Sequence, residues 1–350
     1  MLSTETFDPA ALQRLRNELS HRPFVPPRLL SPGDLQTLGA YFWRGRFGAM
    51  DVSGDEARLF DVEPGTQVLG RCRWQPHRKE HPTVVMWHGI EGSSNSPYML
   101  ITAEKAFRAG FNVVRMNTRN CGGTEHLTPT LYHGGMSSDA RAVVEELIDR
   151  DGLKAIMLVG FSLGGNSVLK LAGEYADDVP EQVRGIGAMS PSVSLGASVE
   201  LLMSPRNWIY HQNFLYHLKH RITVKQNLFP DQYDLSPLRR IRSMREFDSV
   251  YIAPPFGFAD VDDYYTRASS LRRIARIRIP TLIVHAHDDP FVPFAPLNEA
   301  SVTDNPQVVL LAPERGGHVA FLSAESSDED RFWGENRLID FLRLLAAGVS

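Results

Sequence analysis

One serine framed by two glycines is the feature of this sequence best suited to chemistry. Ser162 lies in the run Gly160-Phe-Ser-Leu-Gly164, directly after the apolar run Ile156-Met-Leu-Val159. Apolar residues at Val168 and beyond then have helical spacing, so the pattern predicts a buried strand that turns sharply into a helix at the serine. Glycine at positions 160 and 164 gives the crowded bend the room it needs. The hydroxyl would then lie beside the free N–H groups of a helix N-terminus.

A serine hydroxyl is a weak nucleophile at neutral pH and needs a base within hydrogen-bond reach, itself oriented by an acid. A nucleophile at this kind of bend is followed along the chain first by the acid and then by the histidine. His318 comes after Gly316 and Gly317, directly behind the last predicted strand. Two glycines allow a loop to fold back closely over a site. We therefore predict His318 as the base.

The acid is expected in the loop that follows the predicted strand over 281–286. Loops at the carboxyl ends of parallel strands are where such sheets build their sites. Asp288 and Asp289 both lie in this loop. We favour Asp289, because the turn Ala286-x-x-Asp289-x-x-Val292-Pro293 leaves it clear of the strand end, while Asp288 is better placed to accept loop N–H groups. Asp288 remains the alternative.

An acyl-transfer site also needs N–H donors for the oxyanion of a tetrahedral intermediate. The amide of Leu163, next to the nucleophile, is predicted as one donor. The loop after the strand over 83–87 should supply the other, and we predict the amide of Ile90. His88 precedes this loop and is interpreted as a brace for it rather than as a catalytic base.

Strands and helices alternate along most of the chain, which predicts an α/β fold with a mostly parallel sheet of about eight strands, covered by helices on both faces. Two leading strands, over 58–62 and 67–74, are expected to be antiparallel. The alternation stops near residue 190 and resumes near 280. We therefore predict a core over 56–190 and 280–350 with an inserted helical cap over 191–279. Residues 1–55, with a helix over 9–19 and a proline-rich extended segment, are predicted as an arm packed on the core.

Composition narrows the classes of function. The chain has 350 residues and a formal net charge of -4, which gives no general attraction to nucleic acid. Cys72 and Cys121 are its two cysteines, and their spacing indicates neither a zinc site nor a disulfide framework. The first residues lack the pattern of a signal peptide, and no apolar window reaches the ~20 residues of a membrane span, so we expect a cytoplasmic protein.

The cap is the one basic part of this acidic chain. Residues 191–279 hold 13 lysines and arginines against 8 acidic residues, together with many aromatic residues. A helical insertion with a solvated basic face explains this composition. A lid whose aromatic residues line an acyl pocket and whose basic residues face anionic lipid explains it as well. Peripheral membrane contact through the basic cap is therefore an open possibility.

Several runs together resemble the α/β-hydrolase superfamily, and within it the YheT-like branch, which includes embryogenesis-associated proteins and abhydrolase-domain lipases. They are Phe24-Val-Pro-Pro27, Leu35-Gln-Thr37, His88-Gly-Ile-Glu-Gly-Ser-Ser94, Asn117-Thr-Arg-Asn-Cys-Gly-Gly123, Gly160-Phe-Ser-Leu-Gly-Gly-Asn166, Tyr264-Tyr-x-x-Ala-Ser269, Asp288-Asp-Pro-Phe291 and Gly316-Gly-His318. The resemblance implies a triad of Ser162, Asp289 and His318 that hydrolyses carboxylic esters, lipid-like ones in some members, without metal or cofactor. Asn120 and Ala320 depart from the family pattern, which often has glycine at both places.

Three other functions are weighed against ester hydrolysis. The run His285-x-His287-x-Asp289 begins like a zinc motif, but Pro290 stands where a further histidine is expected. Acyl transfer to an alcohol or thiol would use the same acyl-serine and stays open. A non-catalytic binding protein of the same fold is the third, although a strained serine has no use in a retired site.

Overall fold

The structure is a computed structural model that describes residues 14, 16–19, 21–44, 52–325 and 328–347. Most of its strands coincide with apolar, β-branched runs of the sequence, because such residues pack well on a pleated surface that is buried on both faces, whereas the first two strands are only partly buried. The strands are β1 (Glu56–Glu63), β2 (Thr66–Arg73), β3 (Thr83–Trp87), β4 (Asn112–Met116), β5 (Ile156–Phe161), β6 (Val183–Met189), β7 (Thr281–Val284) and β8 (Val308–Leu311).

These strands form one eight-stranded sheet in the order β1-β2-β4-β3-β5-β6-β7-β8. Two pairs of neighbouring strands are antiparallel, β1 with β2 and β2 with β4. Every other neighbouring pair is parallel. The predicted mostly parallel sheet of about eight strands is confirmed. β5 lies near the centre, between β3 and β6, so the loops after these strands meet at one edge of the sheet.

The helices with described bounds are α1 (Gly33–Arg44), α2 (Pro97–Arg108), α3 (Ser137–Asp149), α4 (Leu163–Tyr175), α5 (Leu195–Leu202), α6 (Trp208–Leu228), α7 (Met244–Phe247), α8 (Val261–Ala268), α9 (Leu271–Ile274), α10 (Ala300–Thr303) and α11 (Trp333–Ala347). Side chains of β3 alternate between two hydrophobic clusters, with Val85 in one and Val84 and Met86 in the other. The sheet is therefore covered on both faces, as predicted.

Residues 191–279 contain helices α5 to α9 and no strand within this fully described stretch. The buried apolar side chains between Leu195 and Ala268 form a third cluster, whereas Val193, Ile274, Ile277 and Ile279 belong to one of the two clusters that flank the sheet. Ile90, Leu163 and Phe291 of the sheet-edge loops pack against this cluster. The division of the chain into arm, core and cap stays a prediction, and "the cap" denotes residues 191–279 below.

The arm is only partly described. Residues 14 and 16–19 are helical, and the rest of the helix predicted over 9–19 lies outside the described residues. Phe24 of the proline-rich segment packs on Phe321 and Trp333, with ring centroids 5.9 and 5.4 Å apart. Helix α1 was not predicted, and it lies against the loops that carry the candidate acid and base.

Candidate active site

Ser162 occupies the sharp bend between β5 and α4, with φ of 53° and ψ of -115°. A Cβ atom added to Gly160 would lie 2.3 Å from the carbonyl oxygen of Gly164. One added to Gly164 would lie 2.5 Å from the carbonyl oxygens of Trp87 and His88. Any side chain at either position would force the backbone apart, which explains why glycine stands at both.

The structure brings the three predicted side chains into one hydrogen-bonded row, which we call the candidate triad. Nε2 of His318 lies 3.0 Å from Oγ of Ser162, and Nδ1 lies 2.8 Å from Oδ2 of Asp289. The other oxygen of Asp289 accepts the backbone N–H groups of Phe291 and Val292 at 2.8 and 2.9 Å. Both oxygens of this buried carboxyl are therefore engaged.

The electrostatics of Asp289 suit an orienting acid. Burial opposes ionisation of the carboxyl, but the charge and hydrogen bond of His318 and the donated N–H groups outweigh it, so the pKa of Asp289 lies below its ordinary value. An ionised carboxylate only accepts hydrogen bonds, so it holds the proton of His318 on Nδ1. Nε2 is then free to accept the hydroxyl proton of Ser162.

Asp288 has a different place in the structure from Asp289. Its Oδ1 accepts the backbone N–H of Gly317 at 3.0 Å, so it ties the loop of the candidate acid to the loop of the candidate base. The structure thus places Asp289 against the imidazole and gives Asp288 a loop N–H, the arrangement on which the choice between them was based.

The two predicted oxyanion donors, Ile90 and Leu163, line the same cavity as Ser162. The loop of Ile90 approaches the nucleophile closely, because a Cβ added to Gly89 would lie 3.0 Å from Cβ of Ser162. Leu163 is the first residue of α4, whose first N–H groups have no partner within the helix. The backbone N–H groups of Ile90 and Leu163 have no hydrogen-bond acceptor among the described residues.

A network of charged and hydroxyl groups fixes the loop of Ile90 from the cap side. Glu91, the residue after Ile90, has φ of 53° and pairs with Arg221 of α6 through two hydrogen bonds of 3.1 and 2.7 Å. The hydroxyl of Tyr132 donates to Glu91 at 2.9 Å, and Arg221 also bonds the carbonyl of Asn120. Arg221 and Tyr132 were missed from the sequence, because neither lies near Ile90 in the chain.

His88 braces this loop, as interpreted from the sequence. Its Nδ1 lies 2.7 Å from the carbonyl oxygen of Gly89, and its Nε2 accepts the backbone N–H of Thr118 at 3.1 Å. Burial lowers the pKa of His88 to about 4, so the ring stays neutral in this place.

The arm contributes supports that were not predicted. Oγ1 of Thr37 in α1 accepts the backbone N–H of His318 at 2.9 Å and donates to the carbonyl of Gly33 at 2.8 Å. The buried amide of Gln36 bonds both the N–H and the carbonyl of Leu322, at 2.9 and 3.0 Å. The only sequence signal for these contacts was the run Leu35-Gln-Thr37, which contributed to the family resemblance.

A cavity of about 900 Å³, part of it open to solvent, joins the candidate triad to the cap. Ser162 and His318 stand at its core side. Most of its cap side is apolar and aromatic, and consists of Leu195, Val199, Leu202, Phe214, Leu218, Met244, Phe247, Ile252, Tyr264 and Tyr265. Part of the aromatic content of the cap therefore lines a pocket, whereas Trp208 and Tyr216 are exposed.

The side chains of the zinc-like run do not converge. Nε2 of His285 bonds the carbonyl of Val292, while His287 stacks on Phe294 with ring centroids 3.7 Å apart. Asp289 bonds His318 through Oδ2, and Nε2 of His285 lies 4.0 Å from the same oxygen. Nowhere in the described residues do three or more His, Cys, Asp or Glu side chains group as a metal site would require. The same described residues contain no helix that is both long and apolar enough to cross a bilayer.

A covered, mostly parallel sheet with a serine at the bend after its central strand defines the class of α/β hydrolases. The family model for the alpha/beta hydrolase fold matches residues 82–325. An Escherichia coli K12 protein named as an esterase, YheT, is 33% identical over 270 residues, which cover 76% of this chain and 78% of YheT. This chain belongs to the alpha/beta hydrolase fold family, and the predicted YheT-like resemblance is confirmed.

Two further relatives and one solved structure agree with this assignment. Phospholipase ABHD3 of Mus musculus is 30% identical over 69% of this chain, which spans 58% of that relative's length. Medium-chain fatty acid ethyl ester synthase/esterase 2 of Saccharomyces cerevisiae is 28% identical to this chain. The match covers 84% of this chain and 72% of the length of that relative. The Pyrococcus furiosus esterase Pf2001 shares the fold, with a TM-score of 0.56 at 17% identity over 92% of this chain and 97% of that one. The chain is an α/β hydrolase of the esterase and lipase type.

Proposed function

We propose that this chain hydrolyses carboxylic esters through an acyl-enzyme formed on Ser162, with His318 as base and acid and Asp289 as its orienting partner. The hydrogen-bonded row of these three side chains, opening into an apolar cavity, is the observation that carries the proposal. The oxyanion donors are the backbone N–H groups of Ile90 and Leu163, and no metal or cofactor takes part.

The first half of the reaction forms the acyl-enzyme. Oγ of Ser162 attacks the ester carbonyl carbon while its proton passes to Nε2 of His318. The carbonyl oxygen becomes an oxyanion that accepts the N–H groups of Ile90 and Leu163. When the intermediate collapses, the carbon–oxygen bond to the alcohol breaks, and the alcohol takes the proton from Nε2.

The second half returns the free enzyme. Water enters, gives a proton to Nε2 of His318 and attacks the acyl carbonyl through a second tetrahedral intermediate. The bond to Oγ of Ser162 then breaks, Oγ recovers its proton, and the carboxylic acid leaves. Asp289 stays ionised throughout and stabilises the imidazolium that forms in each half.

The shape of the cavity supports an acyl chain as the apolar part of the substrate. Its cap side presents aliphatic and aromatic side chains, and burying each methylene of a chain there would contribute about 0.8 kcal/mol. The names of the relatives, an esterase and a phospholipase, agree with short- to medium-chain or lipid-like acyl esters. We further propose that residues 191–279 act as a cap that closes this cavity over the sheet edge.

Steady-state hydrolysis of p-nitrophenyl esters of graded chain length tests the proposal. Ser162→Ala should lower kcat by about 10³-fold or more, with nearly unchanged thermal stability. Ser249→Ala, which alters an exposed serine of the cap, is the matched control and should retain wild-type turnover. Retained turnover in Ser162→Ala would show that the nucleophile is wrong.

Acyl transfer to an alcohol is the second candidate function. It is favoured by the yeast relative whose name contains both ethyl ester synthase and esterase. In transfer, the alcohol replaces water in the second half of the reaction, so both outcomes share the acyl-serine. Product analysis with increasing ethanol distinguishes them: an ethyl ester that exceeds the acid at low ethanol supports transfer, and acid alone supports hydrolysis.

We also propose that the protein contacts a lipid surface, and that the arm takes part beside the basic cap. Leu38 and Phe42 of α1 and Trp208 and Ile209 of α6 are exposed apolar side chains. Arg206, two residues before α6, pairs with Asp34 of α1 at 3.1 Å, so the start of α6 lies near the start of α1. An apolar surface beside basic residues fits the boundary of an anionic bilayer.

Co-sedimentation with vesicles that contain anionic phospholipid tests this contact. The double variant Trp208→Ser, Ile209→Ser should reduce binding several-fold. Leu59→Ser changes an exposed apolar residue of β1 and serves as the control, with binding like the wild type. Equal binding of the double variant and the wild type would contradict the proposed surface.

A further inference from the structure

The cavity beside the candidate triad contains one carboxyl group that the proposed mechanism does not use. Asp248 lies in the cap, at the start of a single π-helical turn over Asp248–Ile252, and its side chain lines the cavity. π-helical turns are rare in proteins, and those that do occur are often found at functional sites. The neighbouring lining is apolar, with Phe247 and Ile252 on either side in the sequence.

The hydrogen bonding of Asp248 is incomplete, unlike that of the other buried aspartates. Asp139 and Asp151 use both oxygens in bonds to arginines, and Asp289 uses both of its own. Oδ2 of Asp248 accepts the hydroxyl of Tyr265 at 2.8 Å, whereas Oδ1 has no bond to any described residue. This oxygen is not sealed off by the described residues; it is open to the cavity that Asp248 lines, from which a bound molecule can supply a donor.

We propose that Asp248 forms a subsite for a free hydroxyl group of the substrate, so that the preferred esters carry a hydroxyl in addition to the ester bond. The proposal rests on the proposed ester hydrolysis and specifies its substrate class. The hydroxyl would donate to Oδ1 of Asp248 from within the cavity, while Tyr265 holds Oδ2. Asp248 thereby determines specificity and takes no part in bond cleavage.

The environment of the carboxyl favours a hydroxyl over a cationic group. Burial raises the pKa of Asp248 to about 7, against a lowering by the Tyr265 hydrogen bond. The titratable group beside Tyr265 in α8 is Tyr264, and burial holds its phenol neutral, with a raised pKa. With a pKa near 7 the carboxyl is about half protonated at neutral pH, so its charge compensates only in part for burying an ammonium, whereas a hydroxyl can donate to the ionised form or accept from the protonated one.

Paired esters that differ only in one hydroxyl test the subsite. The first pair is methyl 8-hydroxyoctanoate and methyl octanoate, which differ by a hydroxyl in the acyl part. The second pair is 4-hydroxybutyl octanoate and butyl octanoate, which differ by a hydroxyl in the alcohol part. We expect kcat/KM to favour the hydroxylated member by about tenfold or more in one of the two pairs. That pair identifies which part of the substrate reaches Asp248.

Variants separate recognition from packing. Asp248→Leu should abolish the preference, and Asp248→Asn, which can still accept a hydroxyl, should retain most of it. Val250→Ala, on the same turn but exposed, is the matched control and should keep the wild-type ratio. Tyr265→Phe removes the hydrogen bond that holds Oδ2 and should reduce the preference only in part, because the carboxyl remains. Labelling of Ser162 by a fluorophosphonate verifies that each variant retains a competent site.

Three results would overturn the subsite. They are equal kcat/KM within both pairs for the wild type, an unchanged preference in Asp248→Leu, or a stronger preference for methyl 8-aminooctanoate than for the hydroxy ester. A wild type that cleaves none of these esters would instead contradict the proposed function itself.

Discussion

The backbone N–H of His318 donates a hydrogen bond of 2.9 Å to Oγ1 of Thr37, although 281 residues separate them. Thr37 in turn donates to Gly33 within α1, so one hydroxyl joins the arm to the loop of the candidate base. The packing there is tight, since a Cβ added to Gly317 would lie 2.5 Å from the carbonyl oxygen of Gly33. The arm is therefore part of what positions the imidazole.

Thr37→Val should lower kcat for ester hydrolysis about tenfold with little change in KM. The isosteric change removes the acceptor of the His318 N–H, and a small displacement of the imidazole is enough to slow proton transfer. Thr37→Ser keeps the hydroxyl and should recover most of the rate. Steady-state kinetics measure this, and an unchanged kcat in Thr37→Val would contradict a positioning role for the arm.

Asp289→Asn should lower kcat by about 10³- to 10⁴-fold, because the amide can donate to Nδ1 and favour the wrong tautomer of His318. Asp288→Asn is the matched comparison in the adjacent position. It retains an acceptor for the Gly317 N–H and should reduce kcat less than tenfold. Kinetics of both variants at one pH decide the assignment, and a larger loss in Asp288→Asn would reverse it.

Gly160→Ala should destabilise the fold, because its Cβ would meet the backbone of Gly164 rather than a flexible side chain. We expect the free energy of unfolding to fall by about 3 kcal/mol. Gly54→Ala, where the space around an added Cβ is empty, should be nearly neutral. Urea denaturation of both variants gives the comparison, and equal midpoints would contradict the crowded bend.

The stability of the protein should depend on pH through Asp248. Burial raises the pKa of this carboxyl from its ordinary 3.8 to about 7, so between these pH values the folded chain keeps a proton that the unfolded chain has lost. The contribution of this group to the free energy of unfolding therefore falls as the pH rises from about 4 to about 7, and it stays constant above about pH 7.

Asp248→Asn cannot ionise, so its stability relative to the wild type should increase across that window, by up to about 4 kcal/mol. Urea unfolding of both proteins at pH 4.5, 6 and 7.5 measures the difference. A difference that is constant over the three pH values would show that Asp248 ionises in the folded protein as easily as in the unfolded chain.

The sheet and the candidate triad could be predicted from the sequence because their signals are local. Buried parallel strands such as β3 and β5 appear as short apolar, β-branched runs, and the bend at Ser162 has glycines at fixed spacing. The glycines before His318 and the loop after β7 follow from the same local rules. The parallel sheet then brings these distant loops to one edge.

The supports of the site could not be predicted in the same way. Helix α1 contains Gly33 and Gly39 and turns Leu35 and Leu38 outward, so its apolar pattern does not mark a buried face. Its contact with His318 depends on tertiary packing alone. Asp248 resembled one more charge of a solvated insertion, and only the cavity shows that it is enclosed.

Covalent labelling shows whether Ser162 is a nucleophile that His318 activates. The protein is incubated with a fluorophosphonate, and intact mass and peptide mass spectrometry locate the adduct. We predict one adduct per chain, on Ser162, formed about 10³-fold more slowly in His318→Ala and absent from Ser162→Ala. An unlabelled wild-type protein, or an adduct that persists in Ser162→Ala, would contradict the account.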